Sequence, residues 1–491
     1  MYRELLKKTG TYSLAGLATR AASFLMLPLY TRFLTPADYG VMELLDLTTS
    51  LIGLLFGARA GSALFYFYFS ASTQREKDDS ISNVFVFSIG LALLMLAITI
   101  PCASVISTIV FGTTQYGPYF RLLFFGFACS IPMEVGYCCL RAFNQPELYV
   151  RLAVLQTVAA AALNALFLVR FQMGVRSMLT TGIITSAALT IFLAQYTLSS
   201  RGISIKPKKI FQLFRYCFPL GLSGLAVFII HYGDRAFLRR SVSLSDLGVY
   251  ALAYKFGMLI AFIHAPFHLH WTSQVCKIVK LPHGEKIYIR STTVLIATLF
   301  FAALLLAFLS EPLVRIMAGQ AFAGAGALVP WIGCAYVLRA IGAHLQGVFT
   351  VEGRPGLELR VNALGSLVCL GAYATLIPRF QMWGAVAATL LGFGVILAYS
   401  YWEAQRLRRF PFEYARLLRL CLVGGLAATV FYAVRPANLF LQGGVGLLCA
   451  AIYPVGIWSF CLDAEERRQL WQHARRAFSR VIAEDVEAAP V

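Results

Sequence analysis

Apolar stretches long enough to cross a bilayer recur along nearly the whole of this sequence, with only short polar gaps between them. The tract from Val294 to Leu309, for instance, carries no charge at all. A spanning helix needs ~20 mostly apolar residues, because the hydrocarbon layer is ~30 Å thick and each residue advances the helix ~1.5 Å. In that layer there is no water to bond, so the backbone must satisfy its own donors and acceptors. Of the 491 residues, 59% are hydrophobic and 13% are charged. Soluble domains run near ~25% charged, and disordered chains lack this much apolar material. Both classes are excluded, and the chain reads as an all-α polytopic membrane protein.

About fourteen spans are expected, at 10–34, 44–66, 82–111, 119–141, 149–169, 177–198, 212–238, 246–270, 291–314, 326–349, 357–378, 383–403, 417–434 and 439–460. With residues at span ends counted in the adjoining loop, 28 Lys and Arg lie on the side of the N-terminus, 9 on the opposite side and 5 within spans. Cytoplasmic loops collect Lys and Arg, so both termini are placed in the cytoplasm. Arg3, Lys7 and Lys8 precede a first apolar stretch that is too long for a signal-peptide core and ends at no small-residue cleavage site. It is read as a retained span. The net charge of +19 therefore belongs to loops at a membrane surface, not to a nucleic-acid binder. The 11 cysteines sit mostly inside apolar runs without any C-x-x-C pair, as small buried hydrophobes. Asp463 and Glu466 form a capping-box pattern, and Trp471, Ala474, Phe478 and Ile482 follow at helical spacing. An amphipathic cytoplasmic helix is expected there.

The chain also repeats itself. At an offset of 208, Leu14 to Ala18 meets Leu222 to Ala226, and Asp38-Tyr39-Gly40-Val41 meets Asp246-Leu247-Gly248-Val249. At 209, Pro146 meets Pro355, Arg151 meets Arg360, and Arg170-Phe171-Gln172-Met173 meets Arg379-Phe380-Gln381-Met382. Each copy carries six spans, so both enter the membrane in the same sense, as a parallel repeat about the membrane normal. The expected parts are an N-terminal six-helix bundle at 1–200, a C-terminal six-helix bundle at 201–404, two additional spans within 405–462 and the tail at 463–491. Two like bundles with a seam make a transporter architecture.

An ionised side chain at mid-bilayer costs roughly 2.5–3.5 kcal/mol on insertion scales, so it is expected to face water or a partner. Arg20, Lys255 and Arg339 fall near the midplane, Arg59 lies nearer the cytoplasm and Arg235 nearer the outer end of its span. The acids within spans are Asp46, Glu134 and Asp234. Five bases against three acids suit an anionic cargo such as a phosphate or pyrophosphate. On this reading Arg20, Lys255 and Arg339 bind the anion, while Arg59 and Arg141 guide it in. Asp46, Glu134, Asp234 and His231 are the candidates for exchanging H+ or Na+. Structural pairings stay open beside these roles: Arg235 with headgroups or with Asp234, Arg59 with Glu134, and Asp46 with Lys255, its equivalent at an offset of 209. His264, His268 and His270 cluster at one end of a span without a further ligand, so no metal is expected. The run Phe65-Tyr66-Phe67-Tyr68-Phe69 reads first as an interfacial aromatic belt and second as a platform for sugar rings. No catalytic constellation and no cofactor are expected.

The segment from Leu27 to Gly40 resembles the start of the polysaccharide repeat-unit flippases (O-antigen and exopolysaccharide) of the multidrug/oligosaccharidyl-lipid/polysaccharide exporter superfamily. Tyr216 to Lys255 is similar to them too, with Pro219 opening a span, Asp234-Arg235 near its end, then Gly248, Tyr250, Ala253 and Lys255. The resemblance runs over essentially the whole chain. It implies two six-helix bundles in a V around a cationic cavity. It also implies flipping of an undecaprenyl-pyrophosphate-linked oligosaccharide across the bacterial cytoplasmic (inner) membrane by alternating access. Proton or sodium antiport is implied for some members. The implied partners are the lipid-linked oligosaccharide, membrane lipids, and a glycan polymerase and glycosyltransferases of the same pathway. A peptidoglycan lipid-precursor flippase and a drug or cation exporter of the same superfamily remain as alternatives. A membrane-embedded glycan polymerase or ligase would need a substantial external loop, which the spacing of the spans does not leave. A carrier, not an enzyme, is therefore expected.

Overall fold

The computed structural model describes residues 24–56, 60–199, 201–202, 204–278, 283–354, 356–461 and 467–468. Sixteen α-helices run through them, and among the described residues there is no strand. Ten helical stretches of the described residues are long and apolar enough to cross a membrane. The chain is a multi-pass membrane protein of the all-α class.

The first sequence copy supplies α1 (Leu27–Phe33), α2 (Pro36–Phe56), α3 (Ala60–Phe69), α4 (Gln74–Thr99), α5 (Ala103–Phe111), α6 (Gly117–Ala142), α7 (Pro146–Ala165) and α8 (Val175–Leu198). The second supplies α9 (Pro207–Ser241), α10 (Leu244–Gly257), α11 (Leu259–Ile278), α12 (Gly284–Ala318), α13 (Ala325–Val351) and α14 (Gly356–Leu407). Two more, α15 (Tyr414–Val434) and α16 (Leu439–Gly456), close the described chain. Local chemistry sets several of these ends. The α4 start is a capping box, with Thr73 and Glu76 each bonding the other's backbone. Proline stands in the first turn of α6, α7 and α9, where its missing N–H costs nothing. Gly112 closes α5 in the left-handed region at φ 75°.

The expected spans and the observed helices differ in instructive ways. The span at 82–111 is two helices, because Pro101 falls in the turn between α4 and α5 and cannot continue the ladder. The span at 246–270 is likewise divided, at Met258, and its second part runs on to Ile278. Spans 357–378 and 383–403 join into the 52-residue α14, turned at Gln381 with φ 52°. At ~1.5 Å per residue that helix reaches ~78 Å, enough for two crossings. The span at 44–66 begins earlier than expected, at Pro36. Most of the first span and nearly all of the tail at 463–491 lie outside the described residues.

The repeat persists in backbone detail. Gly112 and Gly319 both hold φ 75° and each precedes a short 3-10 turn, Thr114–Tyr116 and Gln320–Phe322. Gln172 and Gln381, equivalents at 209, are both left-handed at φ 49° and 52°. Side chains rarely adopt that region, so its recurrence at equivalent positions marks one supersecondary plan used twice.

The described chain forms two compact units. Unit 1 takes in the described parts of Met1–Lys255, Leu313–Leu328 and Glu358–Ile396, and unit 2 those of Phe256–Pro312, Val329–Leu357 and Leu397–Val491. Stretches of both sequence copies thus lie in unit 1. Its core at α3, α4 and α6 buries Leu64, Val84, Phe85 and Val135 completely. In unit 2, α15 and α16 pack on α12 through Phe308 and Phe431, whose rings stack 4.5 Å apart. Within lipid such close packing, more than the hydrophobic effect, holds helices together.

Candidate functional site

In unit 1 the two sequence copies meet where α2 and α10 begin. Both helices open the same way. Thr35 Oγ1 donates to the Asp38 carboxylate (2.7 Å) and accepts from the Asp38 N–H (3.2 Å). Ser243 Oγ and Asp246 make the same pair of bonds at 2.7 and 3.1 Å, 208 residues later. One turn on, the helices cross at Gly40 and Gly248. A Cβ on Gly40 would stand 2.0 Å from the Leu244 carbonyl oxygen, and one on Gly248 would stand 1.8 Å from that of Pro36. Pro36 and Leu244 are themselves equivalents, so each helix rests its first carbonyl on the other's glycine. The crossing is therefore two-fold, and only glycine fits it.

Two further contacts join the copies through equivalent donors. Thr31 Oγ1 donates to the Met317 carbonyl at 2.8 Å, and Arg239, its equivalent at 208, donates to the Phe111 carbonyl. Beside the crossing, buried Tyr39 meets Phe322 edge-on at 5.2 Å, and the Lys255 ammonium lies 5.0 Å over the Tyr39 ring.

One turn deeper lies a buried ion-pair core. Arg235, 3% exposed, donates through Nε to Glu43 Oε1 and through Nη1 to Asp234 Oδ1, both at 2.7 Å. Nη1 also donates to the His231 carbonyl at 2.7 Å, and the Tyr250 hydroxyl donates to Asp234 Oδ2. The guanidinium lies 4.1 Å over the Tyr254 ring. Glu43 belongs to the first copy and Arg235 to the second, so this pair ties the copies together.

Asp46 follows Glu43 on α2. Its charge is within electrostatic reach of Glu43 and Lys255, but it forms no ion pair with either. Instead it lines a cavity of about 290 Å³ among α2, α6 and α8. The caps and glycines fix the local offset at 208, which makes Tyr254, not Lys255, the equivalent of Asp46. The Asp46–Lys255 pairing left open from sequence is not an ion pair here: the ammonium lies over Tyr39 and reaches Asp46 only as a charge through space. Glu134 on α6 is 62% exposed in its side chain and lies 3.8 Å from Arg141, which also stacks 5.3 Å over Phe65. Arg20 and Arg59 lie outside the described residues, and with them the suggested Arg59–Glu134 bridge.

Unit 2 holds the remaining candidate, Arg339, half-buried on α13. His264 and His268 stand one turn apart on α11 with ring centroids 5.2 Å apart, and Arg339 is within electrostatic reach of His264. His344 is fully buried, within electrostatic reach of both histidines. Its Nε2 lies 2.9 Å from Thr292 Oγ1, and its ring stacks with Tyr288 at 5.2 Å and tilts against Trp271 at 4.6 Å. It serves as a core histidine. Among the described residues no group of three or more His, Cys, Asp or Glu is placed to hold a metal.

Of the residues singled out as charges within spans, Asp234, Arg235, Asp46 and Lys255 lie in unit 1 and Arg339 lies in unit 2; Glu43, Tyr39, Tyr250 and Tyr254 join the first group without having been candidates. The Thr35–Asp38 cap, which starts α2 at Pro36, was the signal that would have brought Glu43 inside a helix. Taken together, a helical repeat crossing itself on a two-fold axis, with an ion-pair core buried beside the crossing, is the frame of a multi-pass helical fold seen in membrane transporters. Three solved structures share it. The lipid II flippase MurJ in an inward closed conformation is 14% identical with a TM-score of 0.74, over 91% of this chain and 98% of that one. A multidrug-resistance MATE family transporter, inward-facing, is 16% identical with a TM-score of 0.65, over 80% and 96%. A Vibrio cholerae MATE transporter, VcmN, is 15% identical with a TM-score of 0.57, over 83% and 97%. No curated protein matches the chain. The model of one family, described as polysaccharide biosynthesis protein, matches residues 29–326. The chain belongs to that family.

Proposed function

We propose that this protein flips an undecaprenyl-pyrophosphate-linked oligosaccharide from the inner to the outer leaflet of the bacterial cytoplasmic membrane, supplying surface polysaccharide such as lipopolysaccharide or exopolysaccharide. The observation that carries the reading is the two-fold crossing at Gly40 and Gly248. A carrier that alternates its access must close one end with contacts that part and rejoin as a set. Here equivalent residues of two copies make those contacts reciprocally.

Arg339, with His264 and His268 beside it, binds the pyrophosphate, because the guanidinium supplies positive charge and the imidazoles supply N–H donors at membrane depth. Lys255 and Arg20 take further acidic groups of the head, and Arg59 and Arg141 guide it in from the cytoplasmic leaflet. The lipid chain stays in the bilayer. Return of the carrier uses a proton or a cation. Of the four acid/base candidates, Asp234 is favoured over Asp46, Glu134 and His231, because it sits in the ion-pair core that must come apart when the crossing opens. Glycosyltransferases make the cargo and a glycan polymerase consumes it.

The test is reconstitution in liposomes with a fluorescent lipid-linked glycan and a leaflet-accessibility readout. Wild-type protein is expected to equilibrate the probe across the leaflets. Arg20→Ala and Arg339→Ala are each expected to abolish flipping with membrane abundance unchanged. Full activity in both variants would remove these residues from the path. A second arm with a peptidoglycan lipid precursor separates the nearest alternative: faster flipping of that probe than of the oligosaccharide overturns the cargo proposed.

A further inference from the structure

Two turns of unit 1 have no part in the mechanism above. α7 runs on through a π-helical turn, Leu166–Arg170, and α8 begins at Val175. α14 turns at the single residue Gln381. These are the two Arg-Phe-Gln-Met segments that match at an offset of 209, and the charge asymmetry of the loops puts both on the outer side. With no long loop to lift them, both turns stay at the boundary of the hydrocarbon layer.

Their side chains are sorted in the same way. Phe171 is 60% exposed and Phe380 is 59% exposed. Arg170, Gln172, Arg379 and Gln381 are exposed too, and none of these four side chains makes an ion pair or a hydrogen bond among the described residues. Only 9 of the 42 Lys and Arg lie on this side, yet each copy carries one at this turn. Each glutamine also holds a left-handed φ, which is unfavourable for an L side chain and free of penalty for glycine. Each turn therefore keeps the glutamine side chain at a cost in backbone strain.

An exposed aromatic ring beside an unpaired guanidinium fits a surface that is oily on one side and anionic on the other. A folded partner would meet the two turns with two different surfaces. The bilayer meets both with the same headgroup layer, because a parallel repeat about the membrane normal sets equivalent residues at one depth. We propose that each turn is a phospholipid site. Its arginine holds the phosphodiester of one outer-leaflet lipid, its glutamine amide donates to a further oxygen of that headgroup, and its phenylalanine lies against the acyl chains. The guanidinium fork matches two phosphate oxygens at once. These lipids are separate from the cargo, so the proposal stands whatever the protein flips.

The test places p-benzoylphenylalanine at position 171 or 380 of the full chain, in nanodiscs of equal parts dioleoylphosphatidylglycerol and a phosphate-free dioleoyl digalactosyl lipid. After irradiation the lipid adducts are identified by mass spectrometry. Adducts at both positions are expected to favour the phospholipid by about fivefold, the attraction of one arginine to an anionic headgroup. Arg170→Gln should bring the ratio at 171 to that of the mixture and leave 380 unchanged, and Arg379→Gln should do the converse. The probe at Leu155, exposed on α7 away from the turn, should report the mixture's ratio in every background. Excess inorganic phosphate should change nothing. The mixture's ratio at both turns in the otherwise wild-type protein, a preference that survives both arginine substitutions, or no lipid adduct at either turn would each overturn the proposal. Loss of the preference on adding inorganic phosphate would overturn it as well, by assigning the arginines to a soluble anion. If one arginine variant fails to fold, the other turn decides, since each is read separately.

Discussion

Arg235 shows how much one side chain can decide. It is buried against two carboxylates and three tyrosine rings, and each of those ions gave up water to be there. Burying a pair of charges is close to break-even, whereas removing one partner leaves the other stranded. Arg235→Met should therefore destabilise the protein by about 3–5 kcal/mol, read as a lower unfolding temperature in detergent. Combining it with Glu43→Gln and Asp234→Asn should restore most of the loss. A triple variant no more stable than Arg235→Met would show that these three residues do not form one electrostatic unit. The Asp234–Arg235 pairing was legible from adjacency alone. Glu43 was not, because hydropathy started its span at 44, one residue beyond it, whereas the helix starts at Pro36. Tyr250 and Tyr254 were not either, since a tyrosine near a membrane end reads equally as an interface anchor.

At the level of helices, the tight contact of α2 with α10 rests on two positions where any side chain would collide with a backbone carbonyl. Gly40→Ala and Gly248→Ala should each lower the unfolding temperature and raise hydrogen exchange in the first turns of both helices. Gly90 on α4 is the contrast: a Cβ there meets nothing within 4 Å. Gly90→Ala should be neutral or stabilising by up to about 1 kcal/mol, the helix propensity difference. Equal losses at all three glycines would mean that the crossing is not the tight contact described. The four-residue match around Gly40 and Gly248 was readable as a repeat, but not as a contact. Sequence carries no sign that equivalent segments pack on each other. The break at Pro101 had a visible cause and was overridden by the apolar run on either side. The break at Met258 has no local cause in the sequence, and the structure offers none.

For the molecule as a whole, duplication is the organising fact. It was legible because five matches fell at offsets of 208 and 209, and because chirality makes a repeated sequence repeat its turns, as Gln172 and Gln381 do. Its mechanical consequence was not legible. The two latches, Thr31 to the Met317 carbonyl and Arg239 to the Phe111 carbonyl, each tie one copy to the other through equivalent donors, although their acceptors are out of strict register. If the carrier opens at this end both contacts must break, so holding one shut should hold the end shut. A Thr31→Cys, Met317→Cys pair, oxidised to a disulfide in a background whose exposed cysteines are serine, should stop flipping, and reductant should restore it. Thr190→Cys joined to Cys129 provides the control, because Thr190 Oγ1 donates to the Cys129 carbonyl at 2.6 Å within the first copy alone. That link should leave flipping intact, since rocking of one copy against the other does not strain it. Full activity in the oxidised Thr31–Met317 pair would mean that this end never opens. Transport would then need a route that leaves the two-fold junction closed.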